Sequence, residues 1–250
     1  METTTYPRDR LMRIERAGVN AWPAQETADV DGWLWRYTGG GSQRANSVSP
    51  LAFSGRDVEA AIADVEWRYR SRRSPVRFQI CDVNAPGDLD ARLATRGYRL
   101  REPCTTLARD IGPAPMPADV EIAAAPSDDW MSVYLSNISA DRRPIAPEIL
   151  ARVPAPRAFL LLRAGGRPAA TALAVVAGDV VIAECVGTHA ELRRTGAAAK
   201  VMRALEAWGA DQGATVAALQ AVAANTPAQR LYAALDYVQV GSYHYRLLDT

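Results

Sequence analysis

The chain has 250 residues, 48% hydrophobic and 23% charged, which suits one large or two ordinary globular domains and excludes a disordered polypeptide. Its 29 basic and 28 acidic side chains leave a net charge of +1, without the basic excess that nucleic-acid binders use to neutralise phosphates, so no nucleic-acid partner is expected. Three cysteines, Cys81, Cys104 and Cys185, make neither a disulfide framework nor, with only His189 and His244 to help, a metal site.

The N-terminal METTTYPRDR lacks the apolar stretch of a signal peptide, and the longest apolar run, Ala169 to Val176, is strand-sized. No membrane partner is therefore expected, and the cytoplasm is the expected location. Arg10 to Ala21 predicts a helix, and Gly32 to Tyr37 a strand. Gly39-Gly40-Gly41 then turns the chain so that Gln43 to Val48 returns as the hairpin partner. Val58, Ile62, Val65 and Tyr69 form one stripe on a helix from Asp57 to Tyr69. The run Arg68, Arg70, Arg72, Arg73 at its end reads as a solvated helix terminus. A strand from Pro75 to Cys81, a helix from Leu89 to Thr95 closed by Gly97, and a strand from Tyr98 to Leu107 complete the first half.

The stretch IGPAPMPA, Ile111 to Ala118, holds three prolines in eight residues and continues neither a helix nor a central strand. It predicts an extended linker at 113–118 between units 1–112 and 119–250. The second unit predicts a strand from Val120 to Ala123 and a helix from Asp128 to Ser139. Strands follow at Ala158 to Arg163, Pro168 to Val176 and Asp179 to Gly187. Helices from Thr195 to Asp211 and Pro227 to Leu235 alternate with strands from Thr215 to Val222 and Val238 to Leu247. The fold class is α/β, in the α+β sense, with mixed strands.

The chemistry is written between Val186 and Tyr237. Arg193 to Ala198, RRTGAA, joins a strand to a strong helix carrying Val201, Leu205 and Trp208 on one face, with Gly213 placed to stop it. The small residues Gly196, Ala197 and Ala198 leave the first-turn N–H groups uncovered at the positive end of the helix dipole. A pyrophosphate docks on such a start, and Arg193 and Arg194 supply charge. Further on, Asn225 or Thr226 caps a helix opened by Pro227, and Tyr232 lies two turns along from Asn225.

Together these segments resemble the GNAT superfamily of N-acetyltransferases. That family carries Gln/Arg-x-x-Gly-x-Gly/Ala after its fourth strand, matched by Arg193, Gly196 and Ala198. It then carries Asn-x-x-Ala-x-x-Leu-Tyr before Gly-Phe, matched by Asn225, Ala228, Leu231 and Tyr232, with Asp236-Tyr237 at the Gly-Phe position. Trp22-Pro23, Asp31-Gly32-Trp33 and Arg44 to Val48 are similar to tandem bacterial GNAT proteins with a degenerate N-terminal repeat. The resemblance implies tandem GNAT-like domains, each a mixed, mostly antiparallel sheet flanked by helices.

It also implies a function: transfer of an acetyl group from acetyl-CoA to a primary amine by direct attack in a ternary complex, without a metal. Backbone at Val186 and Thr188 would hold the pantetheine, and Arg193, Arg194, Thr195, Gly196, Ala197 and Ala198 the pyrophosphate. Asn225 would touch the cofactor arm, and Tyr232 would protonate the departing thiolate. A lysine amine, with a reference pKa near 10.4, costs about 4 kcal/mol to uncharge near pH 7.5, whereas an α-amine costs little. Glu184 is the acid expected to serve as base. Cys185 is not expected to act as a nucleophile, since neighbours on a strand face opposite ways and no histidine is placed to activate it. His189 is expected at the surface and His244 near the acceptor entrance. In the first half Trp33, Trp35, Arg44 and Asn46 are candidates for acceptor contacts, weighed against hairpin packing. The acceptor is a small-molecule or peptide amine, and the chain a monomer or homodimer. The competing readings are an acyl-CoA sensor or scaffold without turnover and, ranked last because no Lys-Ser/Thr follows Gly196, a nucleotide-phosphate binder.

Overall fold

The computed structural model describes residues 6–249. Residues 1–5, part of the N-terminal stretch read above for an apolar leader, lie outside the described residues. The chain opens with α1 (Arg8–Ala21), a hairpin of β1 (Glu26–Val30) and β2 (Trp33–Tyr37), then α2 (Val58–Arg70), β3 (Val76–Cys81), α3 (Leu89–Thr95) and β4 (Arg99–Asp110). After the proline-rich stretch come β5 (Val120–Ala123), α4 (Asp128–Ser136), α5 (Ala146–Arg152), β6 (Arg157–Ala164), β7 (Arg167–Ala177) and β8 (Val180–Thr188). The chain closes with α6 (Ala197–Asp211), β9 (Val216–Val222), α7 (Thr226–Ala233) and β10 (Val238–Leu248).

Eight strands form one sheet in the order β3-β10-β4-β9-β8-β7-β6-β5, in which β8 and β9 run parallel and the other neighbours antiparallel. This is a mixed α/β fold with a mostly antiparallel sheet. Strands from both sides of the proline-rich stretch share the sheet, because β4 lies between β10 and β9. Its centre is buried on both faces, as strand periodicity demands. Leu173 and Val175 of β7 pack with Ile14 of α1 and Trp130 of α4, while Ala172 and Ala174 pack with Val201 and Leu205 of α6. A third core joins Trp33, Trp35, Ile62, Tyr69 and Phe78 beneath α2 and α3.

Local chemistry sets the helix starts. Asp57 accepts from the N–H groups of Glu59 and Ala60 at 2.9 and 3.1 Å, and Ser127 accepts from that of Trp130 at 3.2 Å. α6 lies so close to β8 that a Cβ on Gly209 would stand 2.6 Å from Val181 Cγ1.

The structure corrects two expected elements and adds two that the sequence did not predict, β1 and α5. β2 pairs with β1 through an Asp31-Gly32 turn, and Arg44–Asn46 is a 3-10 turn, so the segment Gln43 to Val48 supplies only a bridge residue, Val48, to Phe78. β1 is an edge strand with one buried residue, Val30, which erases the apolar alternation that would betray it. The helix expected to reach Ser139 ends at Ser136, where Asn137 caps it, and a second helix, α5, follows. α5 is too short for periodicity to reveal; it forms because Pro147 opens it and Ile149 and Leu150 are buried. No helix among the described residues is long and apolar enough to cross a membrane.

Candidate active site

The site is made by a split in the sheet. β8 and β9 are paired only from Val180–Val216 to Ile182–Ala218, and beyond that point they diverge. On its other side β8 bulges: Leu173 faces Glu184 and Thr171 faces Gly187, so β8 carries one residue more than β7 between those pairs. Cys185 sits in the bulge with φ of 52°. The bulge re-aims Glu184, Cys185 and Val186 at the opening, which the alternation assumed from sequence did not anticipate.

Two cavities meet there. One, of about 890 Å³, lies over the start of α6. Every residue expected to hold acetyl-CoA lines it except Thr195, whose hydroxyl donates to Leu192 O at 2.8 Å within the turn. Gly196 adopts φ of 85° at the N-cap, and the first helical bond runs from Lys200 N to Gly196 O. The preceding N–H groups at Ala197, Ala198 and Ala199 have no helical partner. A Cβ at Gly196 would meet no atom within 4 Å, so the glycine serves the left-handed turn and keeps the helix start open. Small side chains, free N–H groups and the exposed Arg193 and Arg194 fit a pyrophosphate-bearing cosubstrate such as acetyl-CoA. Arg193 donates to Asn137 Oδ1 at 3.3 Å.

The other cavity, of about 470 Å³, lies beyond the split, between β8, β9, β10, the loop after α4 and residues 41–44. Asn137, Val186, Asn225, Ala228 and Tyr232 line both cavities and mark the junction. Asn225 Oδ1 caps α7 by accepting from Ala228 N at 3.3 Å, which leaves its amide nitrogen for the cleft. Tyr232 is 7% exposed, and burial, reinforced by the Glu184 charge, raises its pKa, so its hydroxyl keeps its proton.

Glu184 is 7% exposed and bound at both oxygens by Arg44. Nη1 donates to Oε1 at 2.6 Å and Nη2 to Oε2 at 2.5 Å. Burial opposes the Arg44 charge, but the Glu184 carboxylate outweighs it and holds the guanidinium above its ordinary range. The Arg44 guanidinium also stands 5.3 Å from the Trp22 ring, and Trp22 Nε1 donates to Ser42 Oγ at 2.9 Å. The Cys185 thiol is raised by burial and by Glu184, the reverse of an activated nucleophile.

Of the expected acceptor residues, only Arg44 reaches the cavity. Trp33 and Trp35 are 0% and 2% exposed in the third core. Trp33 Nε1 donates to Ala85 O, and Trp35 stacks on Tyr37 at 6.0 Å. Both belong to the core beneath α2, with Tyr37 packed against it, because alternate residues of this strand share one face. Asn46 ties its own loop, accepting from Thr38 N and donating to Ser42 O at 2.7 Å. His244 lies away from the acceptor cavity: Tyr243 and Tyr245 face it, and His244, one residue out of phase, contacts Asp90 on the other side. His189 is half-buried just after β8. Sequence reasoning missed Trp22, Tyr134, Tyr243 and Tyr245 as cavity walls. For the last two, the period-2 alternation along β10 was the available signal.

A mixed sheet that splits over a helix start is the fold of GNAT-type N-acetyltransferases. The chain belongs to the family described as Probable histone acetyltransferase Rv0428c C-terminal, whose profile matches residues 10–246. It is 28% identical over 257 residues to Uncharacterized N-acetyltransferase YobR of Bacillus subtilis, covering 96% of this chain and 99% of that protein. It is 30% identical over 131 residues to Probable histone acetyltransferase Rv0428c of Mycobacterium tuberculosis, covering 52% of this chain and 40% of that protein. Among solved structures, a GCN5-related N-acetyltransferase from Kribbella flavida superposes with a TM-score of 0.71 at 20% identity, covering 98% of this chain and 96% of that one. A tandem GNAT protein from the clavulanic acid biosynthesis pathway gives 0.60 at 14% identity, covering 94% and 87%. At these identities the two structures share the fold.

Proposed function

We propose that the protein transfers an acetyl group from acetyl-CoA to a primary amine by direct attack in a ternary complex. The observation that carries this is the meeting of the two cavities at Tyr232, Val186 and Asn225. A thioester threaded along the split in the sheet would place its carbonyl at that junction. The α6 start and Arg194 would hold the pyrophosphate, and backbone at Val186 and Thr188 the pantetheine. Acetyl-CoA supplies the activated acyl group. Tyr232, kept protonated, supplies the proton for the thiolate. The acceptor amine enters from the smaller cavity, whose walls include Trp22, Tyr134 and Tyr243.

Glu184 serves as base in this reading only if Arg44 releases it, since a carboxylate bound at both oxygens is a poor proton acceptor. An acceptor with an amine pKa near neutrality needs no such base. The family name points to a protein lysine; a peptide N-terminus and a small-molecule amine remain in the same class. The second reading, an acyl-CoA-binding protein without turnover, draws on that same occupation of Glu184.

We infer also that the chain is a tandem repeat divided at 113–118. The sheet order β3-β10-β4-β9 supports this. The units β3–α3–β4 and β9–α7–β10 each send their last strand into the other, and the order reads the same when the units are exchanged. The first unit then walls the acceptor cavity instead of binding cofactor, with Arg44 as its contribution.

The test is calorimetric binding of acetyl-CoA to the wild type and to Gly196→Glu and Gly196→Ala. Gly196→Ala carries the strain of φ near 85° without charge. Micromolar binding that survives Gly196→Ala within about tenfold and vanishes in Gly196→Glu supports the cofactor site. Absent wild-type binding of acetyl-CoA and longer acyl-CoAs sinks it.

A further inference from the structure

Glu15 on α1 is a buried carboxylate, 3% exposed, that the chemistry above does not use. Thr106 Oγ1 of β4 donates to its Oε1 at 2.7 Å, and Gln220 Nε2 of β9 donates to its Oε2 at 2.9 Å. Gln220 stands two residues beyond Ala218, where β9 parts from β8, and it lines the acceptor cavity. A carboxylate only accepts, so it takes the NH₂ end of an amide and leaves the carbonyl end pointing away. Gln220 Oε1 has no hydrogen-bond partner among the described residues, and it is absent from their buried unpaired atoms. It is therefore not sealed from solvent, and its residue stands on the cavity wall. Several other acceptors along the wall are engaged: Glu184 by Arg44, Asn137 Oδ1 by Arg193, Asn225 Oδ1 by Ala228 N, and Glu102 Oε2 by Gln43.

We propose that Gln220 accepts a hydrogen bond from the incoming amine, and that Glu15 is the positioning residue that turns the Gln220 carbonyl toward it. This rests on the acetyltransferase reading and deepens it. A neutral primary amine that gives one N–H to Gln220 Oε1 keeps its lone pair free for attack. The groups facing Glu15 are Cys81 at the end of β3, Asp82 in the turn after it, Arg44 of the 3-10 turn, Thr106 and Gln220. Burial, with Asp82 adding to it against the two hydrogen bonds and Arg44, pushes the carboxyl up to about 7. Below that pH the protonated acid can donate to Gln220 Oε1, and the amide is no longer held in the productive sense.

The test combines nuclear magnetic resonance of the Gln220 side-chain amide with kinetics on three amines: ethylamine, spermidine and Nα-acetyl-lysine amide. In the wild type the Gln220 NH₂ resonances should titrate with a midpoint near the Glu15 value and lose that titration in Glu15→Gln. They should also shift when an amine saturates the site. Gln220→Met should raise the amine KM about tenfold, the scale of one hydrogen bond, while kcat and the acetyl-CoA KM stay within about twofold. Once amine KM is expressed as concentration of the uncharged amine, Glu15→Gln should remove the rise that remains below neutral pH. A Gln220 signal indifferent to both Glu15 ionisation and all three amines overturns the proposal, as does an unchanged amine KM in Gln220→Met. If Gln220→Met fails to fold, the wild-type resonances alone decide. Shifts without CoA release would sink acetyl transfer and keep the amine contact; CoA release without shifts would do the reverse.

Discussion

Arg44 and Glu184 lie 140 positions apart in the chain and meet through two hydrogen bonds of 2.6 and 2.5 Å at the wall of the smaller cavity. Their side chains are 17% and 8% exposed, so each charge depends on the other for the solvation it lost. The pair joins the first part of the chain to β8.

Breaking it from one side should be costly. Arg44→Met or Glu184→Leu alone leaves a buried charge without a partner and should lower unfolding free energy by about 3–5 kcal/mol. The double variant should recover most of that loss, because two apolar side chains need no counter-charge. Urea unfolding of the four proteins closes the cycle. Single losses below about 1 kcal/mol would mean that water already reaches the pair.

Tyr232→Phe removes the hydroxyl at the cavity junction and changes little else, since the ring still packs on Tyr237 at 5.9 Å. We expect kcat to fall about a hundredfold with acetyl-CoA affinity retained. Equal kcat in the two proteins, measured by CoA release, removes Tyr232 from proton transfer.

Trp33 separates packing from recognition. Trp33→Ala should cost about 3–5 kcal/mol, as a large buried side chain leaves a cavity and the bond to Ala85 O is lost. The folded fraction should keep the wild-type amine KM. A raised KM at unchanged stability would return Trp33 to the acceptor site.

Glu15 makes stability depend on pH. Its folded pKa of about 7 lies above the ordinary 4.5, so the folded state holds its proton longer than the unfolded chain. Stability from this group is therefore present below about 4.5, declines as pH rises, and is lost by about 7, a difference on the order of 3 kcal/mol. Glu15→Gln should melt higher than the wild type at pH 8, and the gap should close near pH 4.5. Parallel melting profiles from pH 4 to 8 would mean that the carboxyl titrates normally.

The two helix starts at the larger cavity were legible because their signals are local. Gly196 with its small neighbours, and Asn225 with Pro227, each specify a helix start within a few residues of chain, and a helix start is where free N–H groups gather. Leu89–Thr95 and Val120–Ala123 were likewise set by nearby residues. The β1 edge strand and α5 were not legible, since one has a single buried residue and the other is under two turns long.

The sequence by itself determined the α/β class, the order of most elements and the small-residue loop that opens α6, because periodicity and capping act over a turn or two. Tertiary structure alone decided that β4 inserts between β9 and β10, that β8 bulges at Cys185, and that Trp33 packs inward while Trp22 faces the cavity. It also decided that Glu184 meets Arg44 and that Glu15 meets Gln220, contacts 140 and 205 positions apart. Such pairings are fixed by which buried charges and amides find partners once the sheet has closed, and no local pattern in the chain encodes them.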